Sequence, residues 1–332
     1  MRRNLVSISL DLFLLCFFAI VVYVMTLNGS VSLFTVPDSV YQVNTIFLSI
    51  LIEALPFVLI GVLIAGFIQI FITEEQIRRY IPKNKYAAIF MSCVVGSLFP
   101  ACECGIVPIV RRLLSKGVPI YAGVGFLLTG PLINPIVIFS TYMAFGSDLQ
   151  IALLRMGAGF LAALMISILI GFFYQTHQLK ESRESNGCCD HDLEKGGIEN
   201  KVGKTLLHSV DEFFDMGKYL IIGALLASFV QVYVSTDVLA SIGDGPFLSV
   251  FVMMGLAYLL SLCSEADAFI ASSFSGVFPT GAILSFLIYG PMIDLKNTLM
   301  MISVFKKRFV VVLISLITIC VFIIITFIQI FL

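Results

Sequence analysis

Two stretches about 160 residues apart repeat each other inside apolar sequence, which limits the chain to folds with two related halves. Ile60 to Gln69 reads IGVLIAGFIQ and Ile222 to Gln231 reads IGALLASFVQ, identical at six of ten positions. Pro119 to Asn134 reads PIYAGVGFLLTGPLIN and Pro279 to Asp294 reads PTGAILSFLIYGPMID, identical at seven of sixteen. Chance in apolar sequence gives roughly one match in ten. An internal repeat of this kind in a membrane protein points to a transporter, because two related halves can rock about a site between them.

The medium is set by composition. The chain is 59% hydrophobic and 12% charged, where a soluble domain carries about 25% charged residues. The expected class is therefore all-α and polytopic. A net charge of −1 and the absence of any basic face exclude a nucleic-acid partner. No GxxxxGK[ST], HExxH or GxSxG occurs, so neither ATP-driven transport within the chain nor hydrolysis has a motif to start from. The chain reads as a non-enzyme without a cofactor, its contacts being the lipid bilayer and a small solute or ion.

Apolar segments long enough to cross lie near 6–27, 44–72, 117–145, 149–174, 217–235, 279–301 and 309–331. Two more, 86–115 and 247–276, are interrupted by FPACECG (Phe99 to Gly105) and LCSEADA (Leu262 to Ala268). Arg2, Arg3, Arg78, Arg79, Lys83, Lys85, Arg111, Arg112, Lys116 and Lys306 to Arg308 mark one side. The positive-inside rule makes that side cytoplasmic and puts the N-terminus there. Loops 28–43, 146–148 and 236–246 hold Asp but no Lys or Arg and fall outside. Both ends of 86–115 are then cytoplasmic and both ends of 247–276 external, so each segment enters and turns back. Three full crossings per repeat make the second copy upside down, an inverted repeat of spans plus re-entrant hairpins. The expected organisation is a first anchor and external loop over 1–43, one repeat over 44–176, a polar cytoplasmic linker over 177–205 and a second repeat over 206–332.

Polar groups at membrane depth need a partner or a task, since a mid-bilayer charge costs about 3 kcal/mol on insertion scales. Glu53 lies inside an apolar run, and Asp215 holds the equivalent place in the second copy, nearer an interface. At the hairpin tips, Cys102, Glu103 and Cys104 answer Cys263, Ser264, Glu265 and Asp267. Cys102, Cys104 and Cys263 are soft donors suited to a thiophilic metal or metalloid, with hard carboxylates beside them. The Gly130-Pro131 and Gly290-Pro291 pairs are expected to unwind their spans, with Asn134 and Asp294 at matching positions beyond each break. Arg155 reads as a snorkelling or paired residue. The candidate solute- or ion-binding set is thus Glu53, Cys102, Glu103, Cys104, Asn134, Cys263, Ser264, Glu265, Asp267 and Asp294.

The runs FPACECGIVPIVRRLLSKGVP, LLTGPLINP, SLCSEADAFIASSF and YGPMIDLKN resemble the predicted-permease family that includes the organoarsenical efflux permeases. That resemblance covers most of the chain after the first span. It implies a bacterial plasma-membrane permease, working in some members with a small membrane partner subunit. Arsenical cargo would make the three tip cysteines natural ligands. The expected function is a permease moving a small solute or ion by alternating access. The alternatives are a transmembrane thiol-redox relay through Cys102 and Cys263, and a non-transporting subunit of a permease complex.

Overall fold

The computed structural model describes residues 38–174, 178–179, 198–233 and 245–331. The expected first span near 6–27 and the cysteine-bearing part of the linker lie outside the described residues. The chain divides into two compact units, Met1–Gln42 and Val43–Leu332, and the second contains the hairpins, the cavity and the half-helices of both repeats.

The described residues form thirteen helices, and one order of elements occurs twice. The first copy has a long helix α1 (Asp38–Phe71), a short α2 (Glu74–Tyr80), a broken pair α3 (Lys85–Leu98) and α4 (Glu103–Ser115), a second broken pair α5 (Ile120–Thr129) and α6 (Pro135–Ala144), and a long α7 (Leu149–Phe173). The second copy has a long α8 (Ile198–Tyr233), the pairs α9 (Pro246–Leu260) and α10 (Ser264–Ser273), then α11 (Thr280–Met292) and α12 (Leu295–Val304), and a long α13 (Lys307–Phe331). Among the described residues, four helices are long and apolar enough to cross a membrane: Asp38–Phe71, Leu149–Phe173, Ser209–Tyr233 and Lys307–Ile330. Helix α8 begins at Ile198, within the polar segment 177–205.

Neighbour contacts give the path of each hairpin. Gly125 packs on Ser92 and Cys93, and Gly96 on Phe126 and Thr129, so α3 runs parallel to α5. Gly123 packs on Val110 and Leu114, and Gly130 on Ile106, so α4 runs antiparallel to α5. The arms of 85–115 therefore start and finish beside the start of α5. In the second copy, Ser285 donates to the Val250 carbonyl at 3.2 Å and Gly290 packs on Ala257, so α9 runs parallel to α11. Asp267 meets Gly290 while the Phe274 and Phe286 rings lie 6.4 Å apart, so α10 returns against it. Both interrupted segments are re-entrant.

The inversion is fixed by the long helices. Lys85 Nζ donates to the Gly171 carbonyl at 2.5 Å and lies 5.8 Å from the Tyr121 ring, so the starts of α3 and α5 share a face with the end of α7. Tyr174 stacks edge-on to Phe309 at 5.2 Å, which puts the start of α13 on that face as well. From there α13 rises about 37 Å over its 25 residues, and Gln329 near its far end packs on Gly281 at the start of α11. So α5 starts on one face and α11 on the other.

Two expectations need correction. Segments 117–145 and 279–301 are not single spans; each is a pair of half-helices. The Gly-Pro pairs also differ in effect. Gly130 and Pro131 fall in the break after α5, whereas Gly290 and Pro291 remain inside α11 and the chain leaves the helix only at Ile293. What the two copies share is the cap that opens the next half-helix. Asn134 Oδ1 accepts from Val137 N at 2.9 Å and Asp294 Oδ1 from Asn297 N at 2.5 Å. A capping side chain at the same distance past each Gly-Pro pair restarts the helix whether or not the Gly-Pro has interrupted it.

Candidate functional site

The hairpin tips meet. Phe99 ends α3 and Cys102 opens α4, both in extended backbone, with Glu103 in the first turn of α4. On the other side Ser261 turns left-handed (φ 52°) after α9, and Cys263 opens α10, its sulfur accepting from Ala266 N at 3.4 Å. Ser264 Oγ donates to Glu103 Oε2 at 3.3 Å and joins one tip to the other.

Between them lies a cavity of about 50 Å³, several times what one buried water needs. Ile50, Glu53, Ala54 and Phe57 of α1 form one wall, Cys102 to Cys104 a second, Ser261 to Cys263 with Glu265 and Ala266 a third, and Lys296 the fourth. Glu53 meets the Cys263 thiol, and the Cys102 and Cys104 thiols meet each other.

Lys296 organises this centre. Its ammonium lies 3.4 Å from Glu103 Oε1, 3.6 Å from Asp294 Oδ2 and 3.4 Å from the Ser261 carbonyl. Its backbone N–H donates to Ser261 Oγ at 3.2 Å. Glu103 and Asp294 are each 1% exposed and Lys296 is 4% exposed, so the cluster is closed off from bulk solvent. A desolvated triad of this kind persists only if each charge keeps its partners. The lysine comes from the second repeat and Glu103 from the first, so the ion pair also ties the halves.

The structure brings Glu53, Cys102, Glu103, Cys104, Cys263 and Glu265 onto one cavity. Ser264 and Asp294 are attached to it through Glu103 and Lys296. Asp267 is buried behind it, against Gly290. Asn134 does not line it and serves as a helix cap. Among the described residues no group of three or more His, Cys, Asp or Glu side chains is placed to hold a metal ion. Cys102, Cys104 and Cys263 line the cavity, the Cys263 sulfur also accepting from the amide of its own helix and Cys104 being buried against the apolar core.

Asp215, the sequence counterpart of Glu53, lies at the surface beside Lys218 at 3.4 Å. The acid that matters on that helix is Glu212, which bridges Arg111 at 3.1 Å and Arg112 at 2.9 Å. Arg155 does not snorkel. It is 2% exposed, donating to Thr141 Oγ1 at 2.6 Å and to the Ser264 carbonyl at 3.2 Å. The central role of Lys296 escapes sequence reading because Asp294 and Asn297 beside it offer a local partner. The available signal was a lysine in the second copy where the first copy places an apolar residue, Ile136.

The family model described as a predicted permease, ArsP_1, matches residues 39–330, which takes in both repeats and the whole cavity. The chain belongs to this family. It is 51% identical over 287 residues to the UPF0718 protein YcgR of Bacillus subtilis, covering 86% of this chain and 97% of that one. It is 46% identical over 274 residues, 82% of this chain and 90% of the other, to a Streptococcus mutans chain that carries the name of a putative two-component membrane permease complex subunit. No solved structure matches. This permease is thus an all-α, multi-pass membrane protein of a transport family rather than of an enzyme family.

Proposed function

We propose that this permease moves a small solute or ion across the plasma membrane by alternating access, with its N-terminus in the cytoplasm. The observation that carries the reading is the cavity shared by two re-entrant tips that enter from opposite faces. A site at the meeting point of inverted repeats becomes open to one side when the halves rock one way and to the other when they rock back. The cavity volume fits a solute of a few heavy atoms. Cys102 and Cys263 offer sulfur and Glu53 and Glu265 offer carboxylate, a mixed set suited to a thiophilic metal or metalloid as cargo. Asp267 and Asp294 stand behind them as further ion-binding carboxylates. The basic loops support a cytoplasmic side for the starts of α3 and α5. A small membrane partner subunit is proposed from the name of the Streptococcus mutans relative.

The test is a growth screen of metals, metalloids and organic solutes in cells lacking or overexpressing the chain. Glu265→Ala and Glu53→Gln, both outside the buried triad, are each expected to abolish the phenotype while protein levels persist. Wild-type activity in both overturns the site.

A further inference from the structure

Acids outnumber bases on the cavity wall. Glu53, Glu103 and Glu265 line it, and among the described residues a single base, Lys296, stands against them. A cavity lined in this way suits a cation and disfavours an anion. Part of the place a cation would take is already held by the Lys296 ammonium, which reaches Glu103 from α12.

That ammonium is shared rather than committed. It lies 3.4 Å from Glu103 Oε1, 3.6 Å from Asp294 Oδ2 and 3.4 Å from the Ser261 carbonyl, each longer than the ~2.7–2.9 Å of a charge-assisted bond. Asp294 Oδ2 is buried and accepts no hydrogen bond. The other oxygen of Asp294 is held by the Asn297 amide, which keeps the bare one within reach of the ammonium. Asp267 has bare oxygens too, but it lies against Gly290 and forms no part of the wall. On Glu103, Ser264 occupies Oε2 and leaves Oε1 to the lysine. Lys296 thus stands between one carboxylate that lines the cavity and one behind it with an oxygen to spare.

Resting on the permease reading above, we propose that the cargo is a soft cation and that Lys296 is its built-in stand-in: the arriving cation takes Glu103, and the ammonium moves over to Asp294. Closing the Asp294 gap from 3.6 Å to about 2.8 Å is a small swing for a flexible lysine side chain. No covalent bond changes, and the ammonium keeps its protons. In the empty chain the lysine joins Glu103 of the first repeat to the second repeat, and on loading the cargo takes over that link. A neutral or anionic solute has no charge with which to displace the ammonium, so the exchange selects by charge while the cavity sulfurs select by softness.

The test is equilibrium binding of radiolabelled Cd²⁺ to the monodisperse full-length chain in detergent. Cys188→Ser and Cys189→Ser are present in every variant, so that the paired thiols of the polar segment do not bind the probe. Lys296→Met removes the competitor and is expected to bind Cd²⁺ about tenfold more tightly than the parent, the worth of one charge in a poorly screened site. Its melting temperature should also climb more steeply with Cd²⁺ than the parent's, because the ion reaches a stranded Glu103. Asp294→Asn keeps a competent helix cap, as Asn134 shows in the first copy, but takes away the ammonium's second seat. It is expected to bind about tenfold more weakly, and to change little once residue 296 is already Met. Should Lys296→Met not accumulate, Lys296→Arg replaces it in the test: a guanidinium fork is harder to displace from Glu103, so binding should weaken. Unchanged or weaker binding in Lys296→Met, unchanged binding in Asp294→Asn or in Lys296→Arg, or no Cd²⁺ binding by the parent overturns the proposal. Binding that behaves as expected in a chain that carries no Cd²⁺ into proteoliposomes would instead refute the permease reading and leave the lysine exchange standing.

Discussion

Lys296 stands between Glu103 at 3.4 Å and Asp294 at 3.6 Å, and all three side chains are buried. Removing one member of such a group strands the others and costs about 3–5 kcal/mol. Lys296→Met is therefore expected to lower thermal stability sharply in detergent, while Lys296→Met combined with Glu103→Gln recovers much of the loss. Equal damage from the single and double variants would show that Glu103 is not the group stranded. Ser261 permits a finer test. It is left-handed at φ 52° and its hydroxyl accepts from the Lys296 amide. Ser261→Gly forfeits a hydrogen bond worth about 1 kcal/mol but relieves a backbone strain of about the same size. It should be close to neutral in a melting experiment. Ser261→Val loses the hydrogen bond and worsens the strain, and should destabilise by about 2 kcal/mol or more.

At the scale of elements, the hairpin tips depend on close backbone approach. Gly61 of α1 lies against the Gly105 carbonyl of α4, and Gly105 lies against the Phe57 carbonyl. Any β-carbon at Gly61 would overlap that backbone, which no rotamer change relieves. Gly61→Val should push α1 off α4, open the cavity wall that Glu53 and Phe57 form, and cost activity and melting temperature together. A full-activity Gly61→Val chain would mean α1 does not wall the site. The breaks at FPACECG and LCSEADA were legible in the sequence because Pro, Gly and acids rarely interrupt apolar runs by chance. The breaks after α5 and α11 were harder to place. A Gly-Pro pair marks them, but its effect depends on what surrounds it, and Pro291 stays helical where Pro131 does not. The caps Asn134 and Asp294 locate both restarts better than the prolines do.

For the whole molecule, opposite entry of the two hairpins has a direct consequence. A single cysteine placed at Lys116 and another at Ser275 should label from opposite sides of the membrane in intact cells, and labelling from the same side would contradict the inversion. A second consequence concerns Glu212. Its carboxylate holds Arg111 and Arg112 of the first hairpin to α8 of the second repeat, on the face where α5 starts. Its Gln variant should loosen that closure and raise the reactivity of Cys102 toward a polar thiol reagent added from that face. Unchanged reactivity would locate the closure elsewhere. Asp215, which sequence alignment of the repeats pairs with Glu53, has no such task. The repeats correspond in backbone, while their surfaces have diverged to meet different neighbours.

By itself the sequence determined the medium, the number of related halves, the two re-entrant turns and their opposite entry. Each of these rests on local quantities: apolar run length, loop charge and helix breakers, which act within a few residues of one another. Only the tertiary structure decided that Lys296 reaches across to Glu103, that Glu212 rather than Asp215 binds the arginines, and that Asp267 is left bare. Those outcomes depend on which side chains meet across 100 residues or more of chain. In a dry interior a charge takes whatever partner packing puts within a few ångströms, and sequence spacing does not encode that distance.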